Sequence, residues 1–250
     1  AQQQIDAWAQ AATLLEYDPK ESSQAWFQVE WTLSSIAISE SVLVNEDSLD
    51  QAMVKRDIAW MNKVAHRTVD FDKASNQRNN HHYWRGLAAV ATGVISSDDD
   101  LFSWGVGVYR EAINELDERG AFPKEMARHE RAIHYQSFAL QPLAPLAALA
   151  ERQHVPLFTY RSPSGRTIND AVDFLGKALA DPSIVKAYTP EDQLVDHPGS
   201  DFFSFAEFYA NSPHPSPLPA SIREGLKQPT FATRVGGSIT VLDGMPAGKD

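Results

Sequence analysis

Asn79-Asn80-His81-His82-Tyr83-Trp84-Arg85-Gly86-Leu87-Ala88-Ala89-Val90-Ala91-Thr92-Gly93-Val94 joins a polar and aromatic beginning to an apolar continuation. From Tyr83 onward, apolar residues recur at i, i+4, i+7, i+8 and i+11, so the pattern predicts a helix that begins near Asn79. Similar amphipathic segments, separated by short polar turns, fill most of the chain. The sequence therefore predicts an all-α protein built from antiparallel helical hairpins.

The remaining segments extend this pattern to both ends of the chain. Further helices are predicted over residues 5–17, 24–44, 48–69, 101–118, 123–151 and 167–180, with a polar linker over 70–77 and a short helix after Asp181-Pro182. Pro142 and Pro145 predict a kink or a break within 123–151. Phe231–Asp243 is rich in β-branched residues around Gly-Gly, which is typical of a hairpin or an edge strand. Such hairpins stack as a bundle, a solenoid or a closed toroid, and periodicity does not choose among them.

Composition excludes several classes of protein. The chain has 250 residues, of which 43% are hydrophobic, and this is enough for one large domain or two small ones. A net charge of -11 argues against general nucleic-acid binding. No run approaches the ~18 apolar residues of a membrane span. Cysteine is absent, so neither a disulfide framework nor a thiolate metal site is expected, and no metal or other cofactor is predicted.

The segment Arg78–Trp84 contains a cation, two carboxamides, two imidazoles, a phenol and an indole. Polar donors beside aromatic rings are typical of a pocket for a sugar or another flat polar ligand. His81 and His82 diverge by roughly 100° on a helix, so only one of them faces such a site. Tyr83 and Trp84 are candidates for stacking on a sugar, and Trp84 is equally compatible with a place in the core.

A second polar stretch contains Arg128, Arg131 and Tyr135 at i, i+3 and i+7, which places them on one face of a continuous helix. Two guanidinium groups bind a carboxylate and favour a neighbouring phenolate. The alternative is that both arginines pair with acids on a solvated face. His129 and His134 are five residues apart, which does not match the spacing of helical zinc ligands.

The two stretches resemble the motifs of a known family. Asn79–Trp84 resembles the Asn-Asn-His-x-Tyr-Trp motif of the alginate lyases of polysaccharide lyase family 5, and Arg128–Leu143 is similar to that family's second motif. Ile5–Ala9 resembles a Leu-Asp-Ala-Trp-Ala helix start, and Phe231–Gly237 is similar to a C-terminal motif that ends in Arg-Leu-Gly-Gly. The resemblance covers nearly the whole chain in the right order.

The resemblance implies a single domain over residues 1–250, an (α/α) toroid with a small C-terminal β or irregular tail, and cleavage of a 4-linked polyuronate such as polymannuronate by β-elimination. It implies catalytic roles for Asn80, His81, Arg128 and Tyr135. It also implies substrate binding by Arg234, and we add four further candidates for this role from the two polar stretches: Arg78, Tyr83, Trp84 and Arg131. The implied partner is an anionic polysaccharide, with no nucleic acid and no membrane.

Several expectations depend on this resemblance alone. Family members have a further segment before the Asp-Ala-Trp-Ala helix, with a lid and a substrate-binding lysine, and its absence here leads us to expect a more open toroid. A periplasmic or secreted location and a monomer are expected. A lyase for polyglucuronate or a hyaluronan-type chain is the first alternative function, and a non-catalytic carbohydrate-binding protein is the second.

Overall fold

The computed structural model describes residues 2–44, 46–195, 199, 201–213, 216–226 and 229–242. Its longer helices are α1 (Gln2–Gln10), α2 (Ser23–Leu43), α3 (Gln51–Ser75), α4 (Asn80–Ser96), α5 (Asp99–Asn114), α7 (Ala132–Arg152) and α8 (Ile168–Ala180). The shorter ones are α6 (Pro123–Met126), α9 (Phe205–Ala210), α10 (Ala220–Gly225) and α11 (Ile239–Leu242). The predicted all-α class is confirmed.

Helix α4 forms the centre of the structure. It packs against α2, α3, α5 and α7, and every residue from 80 to 93 is buried except His81. Small residues allow these close approaches, and large apolar side chains such as Trp84 and Leu87 fill the space between the helices. The first turn of the most buried helix therefore presents one imidazole towards solvent.

Side-chain caps explain where several helices begin. Ser22, Asp50, Asn79 and Asp98 precede α2, α3, α4 and α5, and each side chain accepts a hydrogen bond from a backbone N–H of the first turn. These short polar side chains satisfy donors that the helix itself leaves unpaired. The sequence signal for these helix starts is therefore local, and it is accurate to within a few residues.

Three predicted helix bounds are wrong. Helix α1 ends at Gln10 rather than near Tyr17, because Ala12 and Leu14 take left-handed backbone angles. Helix α5 ends at Asn114 rather than Glu118, and α3 continues through most of the predicted linker to Ser75. The extension of α3 buries the carboxylate of Asp72, which has charged partners inside the core.

The predicted helix over 123–151 is broken, but not at its prolines. Helix α6 ends at Met126, His129 has a φ of 55°, and a 3-10 turn over His129–Arg131 leads into α7. Helix α7 then runs without a break through Pro142 and Pro145. The interruption therefore comes from the left-handed residue at 129, and it changes how the second polar stretch is presented.

The C-terminal segment contains a small hairpin. Strand β1 (Phe231–Ala232) pairs antiparallel with strand β2 (Gly237–Ser238) across a 3-10 turn over Thr233–Val235. Gly236 and Gly237 both have positive φ, a conformation that glycine adopts without strain. The predicted hairpin is confirmed over residues 231–238, whereas Ile239–Leu242 forms helix α11 and Asp243 lies outside the described residues. Within the part of the chain that the structure describes, no helix is long and apolar enough to cross a membrane.

Candidate active site

A cleft of about 490 Å³ lies where α2, the start of α4, the turn before α7 and the C-terminal hairpin meet. It is lined by Gln24, Phe27, Trp31, His81, Arg128, Arg131, His134, Tyr135, Phe138, Asp201 and Arg234. Five of the nine predicted site residues are in this set: His81, Arg128, Arg131, Tyr135 and Arg234. A larger concavity, of about 770 Å³, lies beside the α4–α5 turn and shares none of these residues.

His81 is clamped at the edge of the cleft. Its ring stacks on Phe27 with centroids 3.5 Å apart and planes at 14°. On its inner side, Nδ1 lies 2.6 Å from Oε1 of the fully buried Glu30. Since Nδ1 is engaged in the interior, Nε2 is the nitrogen left for a ligand in the cleft. His82 points the other way, into a buried contact with Asp72, as the 100° rotation per residue requires.

Tyr135 lies beneath two guanidinium groups. Arg128 Cζ is 4.4 Å from the centroid of the Tyr135 ring, and Arg131 Cζ is 5.1 Å from it. The predicted grouping of these residues is therefore present, but the reasoning from one helix face is wrong. Only Tyr135 lies on α7, and Arg128 precedes the 3-10 turn. The left-handed backbone of His129 folds Arg128 back over the phenol.

Arg234 forms the opposite wall of the cleft. Its Nη1 donates to Asp201 Oδ2 at 3.0 Å, and its guanidinium lies over Trp31 at 4.6 Å and over Phe138 at 5.4 Å. Arg234 and Trp31 also line an adjoining cavity of about 330 Å³. The two cavities therefore share a wall, and together they offer room for more than one sugar of a chain.

Asn80 does not reach the surface of the cleft. It is fully buried, and both its backbone N–H and its Nδ2 donate to the carboxylate of Glu125, at 2.6 and 2.9 Å. Burial raises the pKa of Glu125, while Asn80 and the nearby Arg128 lower it. Arg128 Nε lies 3.8 Å from Glu125 Oε2. Asn80 therefore lies one layer behind Arg128 and supports the acid beside that residue.

Three of the expected substrate-binding residues lie elsewhere. Tyr83 and Trp84 are each 1% exposed, in contact with Phe122 and Phe138 respectively, so the expected stacking on a sugar is wrong. Their place on the central helix buries both rings. Arg78 is held by Asp72 and Glu111 and does not line the cleft.

The aromatic platform of the cleft comes from residues that the sequence did not single out. Phe27 and Trp31 of α2 and Phe138 of α7 line it, together with His134. Helical spacing places Phe27 and Trp31 on the inward face of their helix, but it does not separate a core position from a cleft wall.

The cleft is positively charged, although the whole chain is negatively charged. Arg128, Arg131 and Arg234 lie within it, whereas the protein carries a net charge of -11. Burial lowers the pKa of His134, and the positive charge of Arg131 lowers it further, so His134 is neutral at about pH 7. Among the residues that the structure describes, no group of three or more His, Asp or Glu side chains is arranged to hold a metal ion.

Comparisons with known proteins agree with this arrangement. The sequence profile of the alginate lyase family matches residues 1–185. A polysaccharide lyase of Stenotrophomonas maltophilia is 29% identical over 245 residues, which is 95% of this chain and 69% of that protein. An alginate lyase of Pseudomonas fluorescens is 28% identical over 94% of this chain, which spans 64% of that protein.

Solved structures give the same result. A histidine-to-alanine variant of alginate lyase A1-III complexed with a tetrasaccharide superposes with a TM-score of 0.85 and 37% identity, over 99% of this chain and 72% of that one. The superposition on alginate lyase A1-III of Sphingomonas species A1 covers 98% of this chain and 69% of that one, with the same TM-score. The fold is thus the (α/α) toroid.

The fold and the cationic, aromatic cleft define a polysaccharide lyase of the toroid class. Within that class, the chain belongs to the alginate lyase family.

Proposed function

We propose that this protein cleaves 4-linked polyuronates, with polymannuronate as the main substrate, by β-elimination. The observation that carries the proposal is the meeting of an imidazole, a phenol and three guanidinium groups in one cleft, at His81, Tyr135, Arg128, Arg131 and Arg234. An anionic sugar chain fits this charge, and the aromatic rings of the wall fit its apolar faces.

The arginines are proposed to bind the substrate carboxylate. The C5 proton of a uronate is weakly acidic while the carboxylate keeps its full negative charge. Neutralising that charge allows the carbanion to delocalise as an aci-carboxylate. Arg128 is the candidate for this role because it is half-buried beside Tyr135. Arg131 and Arg234 then hold carboxylates of the same sugar or of the next one.

Tyr135 is proposed as the proton-transfer residue. In mannuronate and glucuronate, C5–H and O4 lie on the same side of the ring, so one phenol takes the C5 proton and delivers a proton to O4. In the epimers, the C5 proton lies on the opposite side, and His81 is the base. Arg128 and Arg131 lie over the ring, with Cζ atoms 4.4 and 5.1 Å from its centroid, so the carboxylate that they would bind lies close to this phenol.

Asn80 is proposed as a positioning residue instead of a direct ligand of the carboxylate. It contacts Glu125, and Glu125 contacts Arg128. Arg78 pairs with Asp72 and Glu111 outside the cleft and has no role in the proposed substrate binding.

The finer parts of the proposal rest on the family. We propose one domain over residues 1–250, a monomer, and action in the periplasm or outside the cell, where an anionic polymer is accessible. A preference for polyglucuronate or a hyaluronan-type chain remains the alternative specificity, and a binding protein without activity remains the alternative class.

The test is cleavage of polymannuronate, polyguluronate, polyglucuronate and hyaluronan, followed by the ultraviolet absorbance of the unsaturated product. We expect Tyr135→Phe to lower kcat on polymannuronate by ~10²–10⁴-fold, the usual contribution of a positioned acid or base. Tyr160→Phe is the matched control, because Tyr160 lies outside the cleft and bonds to Asn114. A Tyr135→Phe variant that retains kcat within about tenfold of the parent contradicts the proton-transfer role.

A further inference from the structure

Two histidine–carboxylate pairs lie side by side behind the cleft. His81 Nδ1 is 2.6 Å from Glu30 Oε1, and His82 Nδ1 is 2.8 Å from Asp72 Oδ2. Glu30 and Asp72 are both fully buried, on α2 and α3 respectively. Only the first pair reaches the cleft, because His82 is 2% exposed and His81 lines the cavity.

Arg85 ties the two carboxylates together. Its Nε donates to Glu30 Oε2 at 2.8 Å, and its Nη1 donates to Asp72 Oδ1 at 2.7 Å. The guanidinium is fully buried and lies over Trp26, with Cζ 3.4 Å from the ring centroid. A guanidinium has donors and no acceptor. One oxygen of Glu30 therefore accepts a hydrogen bond from Arg85, and the other is left to accept one from His81.

We propose that Glu30 is a positioning residue that fixes the tautomer of His81. With its proton on Nδ1 and directed at Glu30, His81 presents an unprotonated Nε2 to the cleft. The stacked Phe27 ring and the Glu30 contact together hold the imidazole plane. The reaction in which this nitrogen acts rests on the proposed function. The tautomer itself does not depend on that function.

The chemical consequence concerns where a proton goes. When His81 is the base, its Nε2 takes the C5 proton, and the C5–H electron pair becomes the C4–C5 double bond as the O4 bond breaks. The leaving oxygen receives a proton from Tyr135. The imidazolium then carries protons on both nitrogens, and the Glu30 carboxylate, which Arg85 also contacts, stabilises it.

The substitution Glu30→Gln changes the tautomer by design. Arg85 still requires an acceptor, so the new amide directs its oxygen to Arg85 and its NH₂ group to His81 Nδ1. Nδ1 must then accept, and the proton moves to Nε2, where it blocks the base. Asp72→Asn makes the same chemical change in the second pair, so it is a matched control that removes an equally buried charge.

The tautomer is read from the imidazole nitrogen chemical shifts by NMR. We expect an Nδ1–H tautomer for His81 in the parent and in Asp72→Asn, and an Nε2–H tautomer in Glu30→Gln. A parent that shows the Nε2–H tautomer overturns the proposal without any variant, so a poorly folding Glu30→Gln does not prevent the test. The tautomer is also measurable if the parent cleaves no polyuronate, and that outcome contradicts only the proposed function.

The activity measurement asks whether Glu30 acts through His81. On a substrate whose cleavage His81→Gln impairs, Glu30→Gln should lower kcat by ~10²-fold or more, by analogy with other carboxylate–histidine pairs. The double variant Glu30→Gln/His81→Gln should be no slower than His81→Gln alone, because groups that act as one unit are not additive. If the fold losses of kcat in the two single variants multiply in the double variant, the proposal is overturned.

Discussion

Two tryptophans of the site region have opposite environments. Trp84 is the last residue of the Asn79–Trp84 motif but lies in the core, with 1% of its surface exposed. Trp31, from a helix distant in sequence, lines both cavities beneath Arg234. Proximity in sequence to a functional histidine is therefore a poor guide to which aromatic ring meets the ligand.

This difference leads to a prediction for two matched substitutions. Trp84→Leu should lower the free energy of unfolding by roughly 2–4 kcal/mol, because it leaves a cavity in the core, and it should leave KM unchanged. Trp31→Leu should raise KM several-fold with a smaller loss of stability, since one side of the ring faces the cleft. Chemical denaturation and steady-state kinetics separate the two effects. A KM increase confined to Trp84→Leu would contradict the assignment of Trp31 to the cleft wall.

The sequence predicted the side chains that line the cleft better than the residues that support them. His81, Arg128, Arg131, Tyr135 and Arg234 were named in advance and share one cleft. Glu30 and Phe27, which contact His81, lie about fifty positions before it in the sequence. No local pattern links a glutamate on one helix to a histidine on another. Such contacts arise from tertiary packing, which residue spacing does not encode.

At the scale of secondary-structure elements, the contact between α4 and α5 depends on glycine. A Cβ added at Gly105 would lie 2.5 Å from Val90 Cγ2 and 2.6 Å from the Gly86 carbonyl oxygen. A Cβ added at Gly86 would lie 2.7 Å from Val108 Cγ1. The two helices therefore approach more closely than any larger residue allows at these positions.

Gly107, two residues further along α5, has no neighbour within 4 Å of an added Cβ. We expect Gly105→Ala to lower the free energy of unfolding by roughly 1–3 kcal/mol through overpacking. Gly107→Ala should raise it by roughly 0.5–1 kcal/mol, because alanine favours a helix. Thermal and denaturant unfolding of both variants measure the difference. Equal effects at the two positions would refute the close approach of α4 and α5.

Helix starts were predictable because their caps are local, as at Asp98 before α5. The break before α7 was not predictable, because it depends on a left-handed histidine at 129 and not on either proline of α7. A proline inside a helix removes one hydrogen bond, and the packing of α7 against its neighbours offsets that loss. The break predicted from the two prolines is therefore wrong, and the break at His129 has a different cause.

At the scale of the whole molecule, a buried carboxylate makes stability depend on pH. Asp57 of α3 is fully buried, and neither of its oxygens has a hydrogen-bond partner among the described residues. Burial raises its pKa, the negative charges of Asp6 and Glu40 on the adjacent helices also raise it, and the net result is a pKa of about 6. The folded state therefore favours protonated Asp57, and it loses stability as the pH rises from about 4 to about 6.

Asp57→Asn should increase the free energy of unfolding by roughly 1–3 kcal/mol at about pH 7.5, where the parent carries the buried charge. The gain should shrink between about pH 6 and pH 4, because the folded parent becomes protonated there. Denaturant titrations at several pH values test this dependence. Asp70→Asn is the control: this exposed carboxylate on the same helix should change stability by less than about 0.5 kcal/mol. If the gain in free energy of unfolding did not depend on pH, removal of the buried Asp57 charge would not be its cause.

The placement of His81 on α4 has a consequence for how the protein unfolds and loses activity. Many enzymes have a reactive centre on a loop that opens by itself, but here the imidazole belongs to the first turn of the most buried helix. Local opening at that turn would expose the ion pairs of Arg85 and disrupt the packing of four neighbouring helices. The His81 side chain should consequently lose its position only when the whole protein unfolds. Heat should then inactivate the protein and melt its core in the same transition.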